Sequence, residues 1–554
     1  MDARSRYSVP MRFDWLARPA TLLPIFTLAA LVVYWPSLGG PYMFDDIHYV
    51  ATNIWVRDLD ATRLLELLDP WGAPALIVEN YAPVNLLLHS AVVWFAGDAF
   101  VVHHAVNLLL HALASVLVVL VLRRAGVPDV AAIVAGAFFL LHPANVEAVA
   151  WISQLKTTSS LVLVLWALLA FERFPLPSAG LFAAALLAKA SAVFALPALA
   201  VFLFCLWRRE GERPSPRYTA GLALWAGVLV VFVVVELAVF TRLNAMPPGG
   251  VPDDPLVQVR TALGILPHYL LMATTGLGLS AFHQPPHVIS WTDPRWILGA
   301  SAAILIGIRA LRALVRGDTE AAFWAWVIVA YLPISQLFPF RYPIADRYLY
   351  PVLPGLLGAA LLAFKGPLTK LLGTRGPPQW VCGVLVVAGL TAFAFEARPR
   401  ANLWRHPLFV LQDAARNYPD SDSAHLLIAG EQTRAGERDA AVRSLRLAYE
   451  RGIESHGGFA RNPCFSTLTD LPEFQQLIHE MAGQHVRRLH ARGELIQVEY
   501  LGLVEAHLAR GEHDLARRAA EQGLAVGGSF SPRLRELQAT IPRDLPRRRP
   551  HSVK

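Results

Sequence analysis

The sequence predicts an all-α fold: a polytopic membrane helix bundle of about eleven crossings, followed by a small helical domain. Three observations carry this. Apolar runs recur along the chain, and many reach the ~20 residues needed to cross a bilayer. Hydrophobic residues make up 55% of the 554 and charged residues only 16%, where soluble domains hold about a quarter; mean hydropathy is +0.42. Runs such as "TLLPIFTLAALVVYW" and "LFAAALLAKASAVFALPALAVFLFCLW" show no strand-like alternation. In lipid their backbone groups must then be satisfied within helices.

Residues 1–19 carry Arg4, Arg6, Arg12 and Arg18 and no small-residue cleavage site, which reads as a cytoplasmic N-terminus before a signal anchor. Within the membrane domain, 20–396, crossings fall at 20–37, 101–122, 129–142, 157–172, 177–190, 192–207, 219–240, 296–314, 320–338, 348–364 and 379–396. Several are short for a full span and read as broken or partly re-entrant helices. Arg123 and Arg124, Arg208 and Arg209, Arg309, Arg312 and Arg316, and Lys365, Lys370 and Arg375 all fall on the N-terminal side, which the positive-inside rule makes cytoplasmic. The apolar segment 262–282 holds Pro267, Gly276 and Gly278. As a crossing it would put the arginines at 309–316 outside, so it reads as a re-entrant or surface helix. Parity then places 38–100, 142–156, the turn at Lys189, 241–295, 339–347 and everything after 397 outside. The 38–100 loop includes "NYAPVNLLLHSAVVWFAGD", suited to a helix on the membrane surface.

From 397 charge rises and long apolar runs stop. In 397–540, Ala429, Gly436, Ala441 and Ala448, and again Gly511, Ala516 and Gly523, sit at the small positions of tetratricopeptide repeats, where two helices approach closely; generic helical hairpins fit the same spacing. Residues 541–554 form a flexible basic tail. The net charge of +7 comes from basic residues at the ends of apolar runs, so it indicates a membrane rather than nucleic acid. The three cysteines, Cys205, Cys382 and Cys464, form no disulfide framework or zinc spacing. No Walker loop, GxSxG elbow or HExxH is present, which disfavours ATP-driven transport and zinc proteolysis.

Ionisable residues in a membrane protein are costly and mark cavities. Here they gather on the outside: Asp45, Asp46 and His48; His142, Glu147 and Lys156; Lys189; Arg341, Asp346, Arg347 and Tyr348. A carboxylate can take a proton from an acceptor hydroxyl, and cations can hold a leaving phosphate. Plainer readings stand beside these. His142-Pro143 could be a helix stop, Glu147 could pair with a base, Lys189 could snorkel, and Asp346 could bridge Arg347 at a helix start. His104, Asn107 and His111 share one helix face and read as packing hydrogen bonds rather than metal ligands. Glu236 has no visible partner.

In order along the chain, "FDD", "YAPVNLLLHSAVVWFAGDAFVVHHAVNLLLHAL", "LHPANVEAVAWISQLK", "LLAKASAV" and "ADRYLYP" resemble the transmembrane and tetratricopeptide-repeat O-mannosyltransferases and their bacterial relatives, over residues 15–400. The resemblance implies a C-type glycosyltransferase fold, a polyprenyl-phosphate-linked sugar as donor and an extracytoplasmic hydroxyl as acceptor. It maps the paired acids onto Asp45 and Asp46, and the other motif residues onto His142, Glu147, Lys189, Asp346 and Arg347. Two features depart from the pattern: Gln154-Leu155 precedes Lys156 where relatives carry a charged pair, and the repeat region is short.

The expected function is therefore an inverting membrane glycosyltransferase, in a bacterial inner membrane with its active site and C-terminal domain extracytoplasmic. One of Asp45 and Asp46 acts as general base; Lys189 and Arg347 hold the donor phosphate. The acceptor is a protein, lipid or polysaccharide, and the repeats offer a surface to a protein partner. No cofactor is certain. A divalent metal, Mg or Mn, bridging the aspartates and the phosphate is compatible with the chemistry, although no clean ligand set shows itself. The rival reading is a non-catalytic membrane scaffold or lipid carrier, for which two adjacent anions serve no purpose.

Overall fold

Proline lacks an N–H, so it is at home at the first position of a helix. Pro19 opens the first apolar helix, Pro19–Tyr34, and prolines also lie in the opening turn of Pro255–Thr275 and Pro294–Arg316. A computed structural model describes residues 18–211, 215–243, 254–337, 344–373, 377–453, 459, 462–492 and 495–541. The described residues are helical, with one isolated bridge, His283 to Ile344, and no longer strand among them. A helix stands at every crossing read from the sequence. Among the described residues, eight helices are long and apolar enough to span a bilayer, or up to ten if each of two sharply bent pairs is one span. The bent pairs are Asp129–Leu141 with Pro143–Ala150, and Leu353–Ala363 with Lys365–Gly373. Ser178–Ala188 has 11 residues, about 16 Å at 1.5 Å per residue, half a hydrocarbon core. Arg341, the N-terminal residues 1–17 and most of the basic tail lie outside the described residues.

Contacts sort the turns into two sets. In one, Arg124 pairs with Glu172, a Cβ on Gly126 would lie 3.2 Å from Lys365 Nζ, and Arg208 donates to Val315 O. In the other, Ser153 N–H meets Asp46, Arg347 meets Glu147 and Arg400 meets Asp346. Alternate turns belong to alternate sets, as a serpentine chain requires. The helix Pro255–Thr275 is the exception. It is long and apolar enough to cross, yet Gln258 near its start donates to Leu337 O, and Ala273 O near its end accepts from His142. Both partners belong to the second set, so this helix packs along that face.

The chain divides into two compact units after Asp413. The helix Pro377–Leu403 carries the chain past the compositional change at 397. In the second unit, Asp422–Arg434 pairs with Arg438–Glu450, and Gln497–Ala509 with His513–Val526. Gly436 (φ +78°) and Gly511 (φ +70°) make the two tight turns, where a left-handed backbone favours glycine. Ala429, Ala441, Ala448 and Ala516 are fully buried. A Cβ on Gly523 would come within 2.7 Å of Tyr500. The small residues are thus the positions at which paired helices touch.

Candidate active site

The Asp45–Asp46 stretch leaves the first helix through a turn whose backbone is unusual. Phe44 has φ +52°, a conformation that costs a residue with a side chain about 1–3 kcal/mol. Past this turn the two carboxylates separate. Asp46 is 1% exposed; its Oδ2 accepts from Met43 N–H at 3.0 Å and its Oδ1 from Ser153 N–H at 2.7 Å. It is a strut between the first loop and the "WIS" segment. Burial pushes its carboxyl up, to about 8, against the downward pull of the two amides. Asp45 stays half-buried at the surface, makes no side-chain hydrogen bond or ion pair among the described residues, and lies close enough to Arg347 for their charges to interact.

Glu147 lies on the one-turn helix Val146–Ala150 and is buried. Its Oε1 takes the Arg347 guanidinium and its Oε2 the Arg347 N–H at 2.8 Å. The guanidinium also sits over the rings of Trp151 and Tyr348, at 5.3 and 5.0 Å. Asp346 turns the other way. Its Oδ1 accepts from His283 Nε2–H at 2.8 Å and Ser280 N–H at 3.2 Å, and its Oδ2 from Arg400 at 2.9 Å. Asp346 and Arg347 are therefore not each other's partners: the 3-10 turn Asp346–Tyr348 sends adjacent side chains to opposite neighbours.

Two lysines complete the cluster. Lys189 ends the helix Ser178–Ala188 and donates to Thr157 Oγ1 at 2.6 Å, which in turn donates to Gln154 at 2.7 Å. Lys156 donates to Tyr49 OH at 3.0 Å and lies 4.2 Å from that ring's centre. Tyr49 OH also accepts from Asn80 and donates to Val78 O. Lys156, Arg347 and Glu147 are each within electrostatic reach of Lys189. Neither lysine has a carboxylate bonded to it among the described residues; burial, with Lys156 and Arg347 close by, pushes the Lys189 ammonium well below the usual lysine range.

The other expected residues are peripheral. His142 is fully buried; its Nε2–H donates to Ala273 O, its Nδ1 accepts from Ala144 N–H, and its ring packs on Phe138 and Phe393. It is a joint between helices. His48 leans on Tyr49 at 5.2 Å. Tyr348 serves as a ring beneath Arg347. His104, Asn107 and His111 bond respectively to Gly40 O, to Trp151 O, and to Leu140 O and Tyr350 OH. Glu236 receives the backbone N–H of Tyr81. Among the described residues no group of three or more His, Cys, Asp or Glu could hold a metal. With both Asp46 oxygens on amides, Asp45 alone remains as a ligand, and the residues present do not fit a protein-held Mg or Mn.

Arg400, His283 and Thr157 were missed in the sequence. Arg400 carried a signal: with Arg398 it puts two charges near the end of a long apolar helix, where ionisable residues are costly unless paired.

Two curated proteins are similar to part of this chain. One is Protein O-mannosyl-transferase Tmtc1 of Drosophila melanogaster, 31% identical over 150 residues, 26% of this chain and 17% of that protein. The other is Protein O-mannosyl-transferase TMTC1 of Mus musculus, 27% identical over 164 residues, 28% of this chain and 17% of that protein. The chain thus matches about a sixth of the length of each relative. No protein-family model matches the chain, and no solved structure matches it.

Proposed function

We propose that the protein is an integral membrane glycosyltransferase that moves a sugar, mannose by analogy with these relatives, from a polyprenyl phosphate to a hydroxyl acceptor on the extracytoplasmic side. The observation that carries this reading is the division between the two aspartates. A carrier of lipid phosphate needs the cations but gains nothing from Asp45, a carboxylate with no side-chain bond or ion pair among the described residues, held beside them. A transferase needs both.

In the reaction, Asp45 takes the proton of the acceptor hydroxyl as its oxygen attacks the anomeric carbon. The new C–O bond forms as the bond from that carbon to the phosphate oxygen breaks, and the configuration inverts. Polyprenyl phosphate leaves with one more negative charge. Lys189 and Arg347 hold that phosphate, and Lys156 adds a third cation, bonded to the Tyr49 hydroxyl. Preorganised charge of this kind lowers the barrier because it is in place before the charge develops. Glu147 fixes the Arg347 guanidinium, and the Thr157–Gln154 pair fixes the Lys189 ammonium.

The test is transfer of radiolabelled mannose from polyprenyl phosphate mannose to acceptors in membranes holding the parent or Asp45→Asn. The variant keeps the side chain's size and removes the base, so transfer should fall about a hundredfold or more at equal protein levels. Parental transfer would return the protein to the lipid-carrier reading.

A further inference from the structure

Phe44 is one of three residues other than glycine with positive φ among those described, and it immediately precedes Asp45. A side chain in this backbone region is held there by its surroundings or not at all. Its surroundings are three aromatic rings from separate segments. The Phe44 ring stands edge-on to Trp151 (6.0 Å between centroids, 86°), Phe282 (5.9 Å, 85°) and Trp404 (6.5 Å, 89°), geometries that aromatic quadrupoles favour. Trp151 and Trp404 stack on each other at 5.3 Å, and Trp151 Nε1–H donates to Met43 O, one residue before Phe44. The cage therefore grips both the ring and the peptide of the strained turn. On the other side of the turn, Asp46 is anchored by the Met43 and Ser153 amides. Asp45 lies between two fixed points while its own carboxylate is held by neither.

We infer that Phe44 is a positioning residue: its caged ring enforces the left-handed turn that projects the Asp45 carboxylate towards the acceptor while Asp46 turns inward. This rests on the reading of Asp45 as general base. It differs from a packing role because the ring's contribution passes through the backbone conformation, and it makes a specific claim about glycine. Phe44→Ala removes the grip and keeps the Cβ that disfavours positive φ. Phe44→Gly removes the grip and the disfavour together, since glycine adopts positive φ readily.

The experiment compares Phe44→Ala and Phe44→Gly in the parent and in Asp45→Asn, measuring kcat and donor KM with polyprenyl phosphate mannose. Phe44→Ala should lower kcat about tenfold to a hundredfold, the scale of a misplaced catalytic group, with donor KM within about twofold. Phe44→Gly should retain more kcat than Phe44→Ala. In the Asp45→Asn background neither should cause a further loss. A packing role makes the opposite prediction: glycine worse than alanine, and losses that multiply with Asp45→Asn. Either of those results overturns the inference. Parental activity of Asp45→Asn itself would instead remove the base on which it rests. If Phe44→Ala does not accumulate, Phe282→Leu loosens one wall of the cage while leaving every residue of the turn itself unchanged. It should lower kcat in the parent and do nothing in Asp45→Asn; an equal loss in both refutes the positioning role.

Discussion

Exchange of Asp46 for asparagine should damage the fold, whereas the same exchange at Asp45 should spare it. Asp46 presents two oxygens to two backbone N–H donors, one from Met43 at 3.0 Å and one from Ser153 at 2.7 Å. Asparagine offers one oxygen and one NH2. Whichever way it turns, one amide donor then faces another donor in a site closed to water. A buried N–H left unpaired costs about 1–3 kcal/mol. Asp45 has no such bonds to lose among the described residues. The assay is thermal unfolding of the detergent-solubilised protein, followed by tryptophan fluorescence and reported as the difference from the parent. The pH dependence gives a second check. Burial raises the folded Asp46 carboxyl to about 8, above its unfolded value, so the folded form retains a proton that the unfolded chain releases. Its contribution to stability is then fullest below the unfolded value, near 4, and is lost as pH rises through about 8. Asp46→Asn should flatten that part of the stability profile. An Asp46→Asn protein as stable as the parent, with the same pH slope, would refute the strut.

The remaining predictions concern the neighbouring groups. Glu147→Gln leaves the Arg347 guanidinium without its counter-charge and should destabilise the protein by about 3–5 kcal/mol, the usual cost of breaking a buried pair; denaturant titration checks it. Gly40→Ala places a Cβ 2.2 Å from Trp404 O, a backbone atom that cannot swing aside. It should cost about 1–3 kcal/mol, seen as a lower unfolding temperature, whereas Gly39→Ala, with nothing within 4 Å, should not. Lys156→Ala and Lys189→Ala should each raise donor KM about 10–100-fold, from the loss of one charge-assisted bond worth about 1.5–3 kcal/mol. An unchanged donor KM in both would place the phosphate elsewhere.

The helices were legible in the sequence because membrane crossing imposes a local rule on every residue of a run. Which turns share a face followed from counting crossings and from where the arginines cluster. The partners inside the site were not legible, because they obey no local rule. Asp346 and Arg347 are adjacent and opposite in charge, which from the sequence resembles a pair. The structure gives each a different partner, since the 3-10 turn points them apart. Arg347 joins Glu147 across 200 residues and Asp346 joins Arg400 across 54. The two aspartates looked interchangeable for a related reason: nothing in "FDD" announces that Phe44 adopts a left-handed backbone. His142 looked like a site residue because histidine in an apolar context is conspicuous, yet two backbone groups occupy both of its ring nitrogens. Lys156 and Lys189 were visible as misplaced charges, but that their bonds among the described residues go to Tyr49 and Thr157 hydroxyls emerges only from the packed structure.

The long sequence separation of these pairs also fixes an order of events at the ribosome. The strut can close once Ser153 is made, 107 residues after Asp46. Glu147 must then wait for Arg347, about 10–40 s at about 5–20 residues per second. Asp346 waits for Arg400, which arrives with the last membrane helix. During synthesis Glu147 and Asp346 are each made before the arginine that pairs with them. A nascent chain lacking its final helix holds Asp45, Lys156 and Lys189 but not Arg400, so the cluster is complete only when the whole bundle has been laid down.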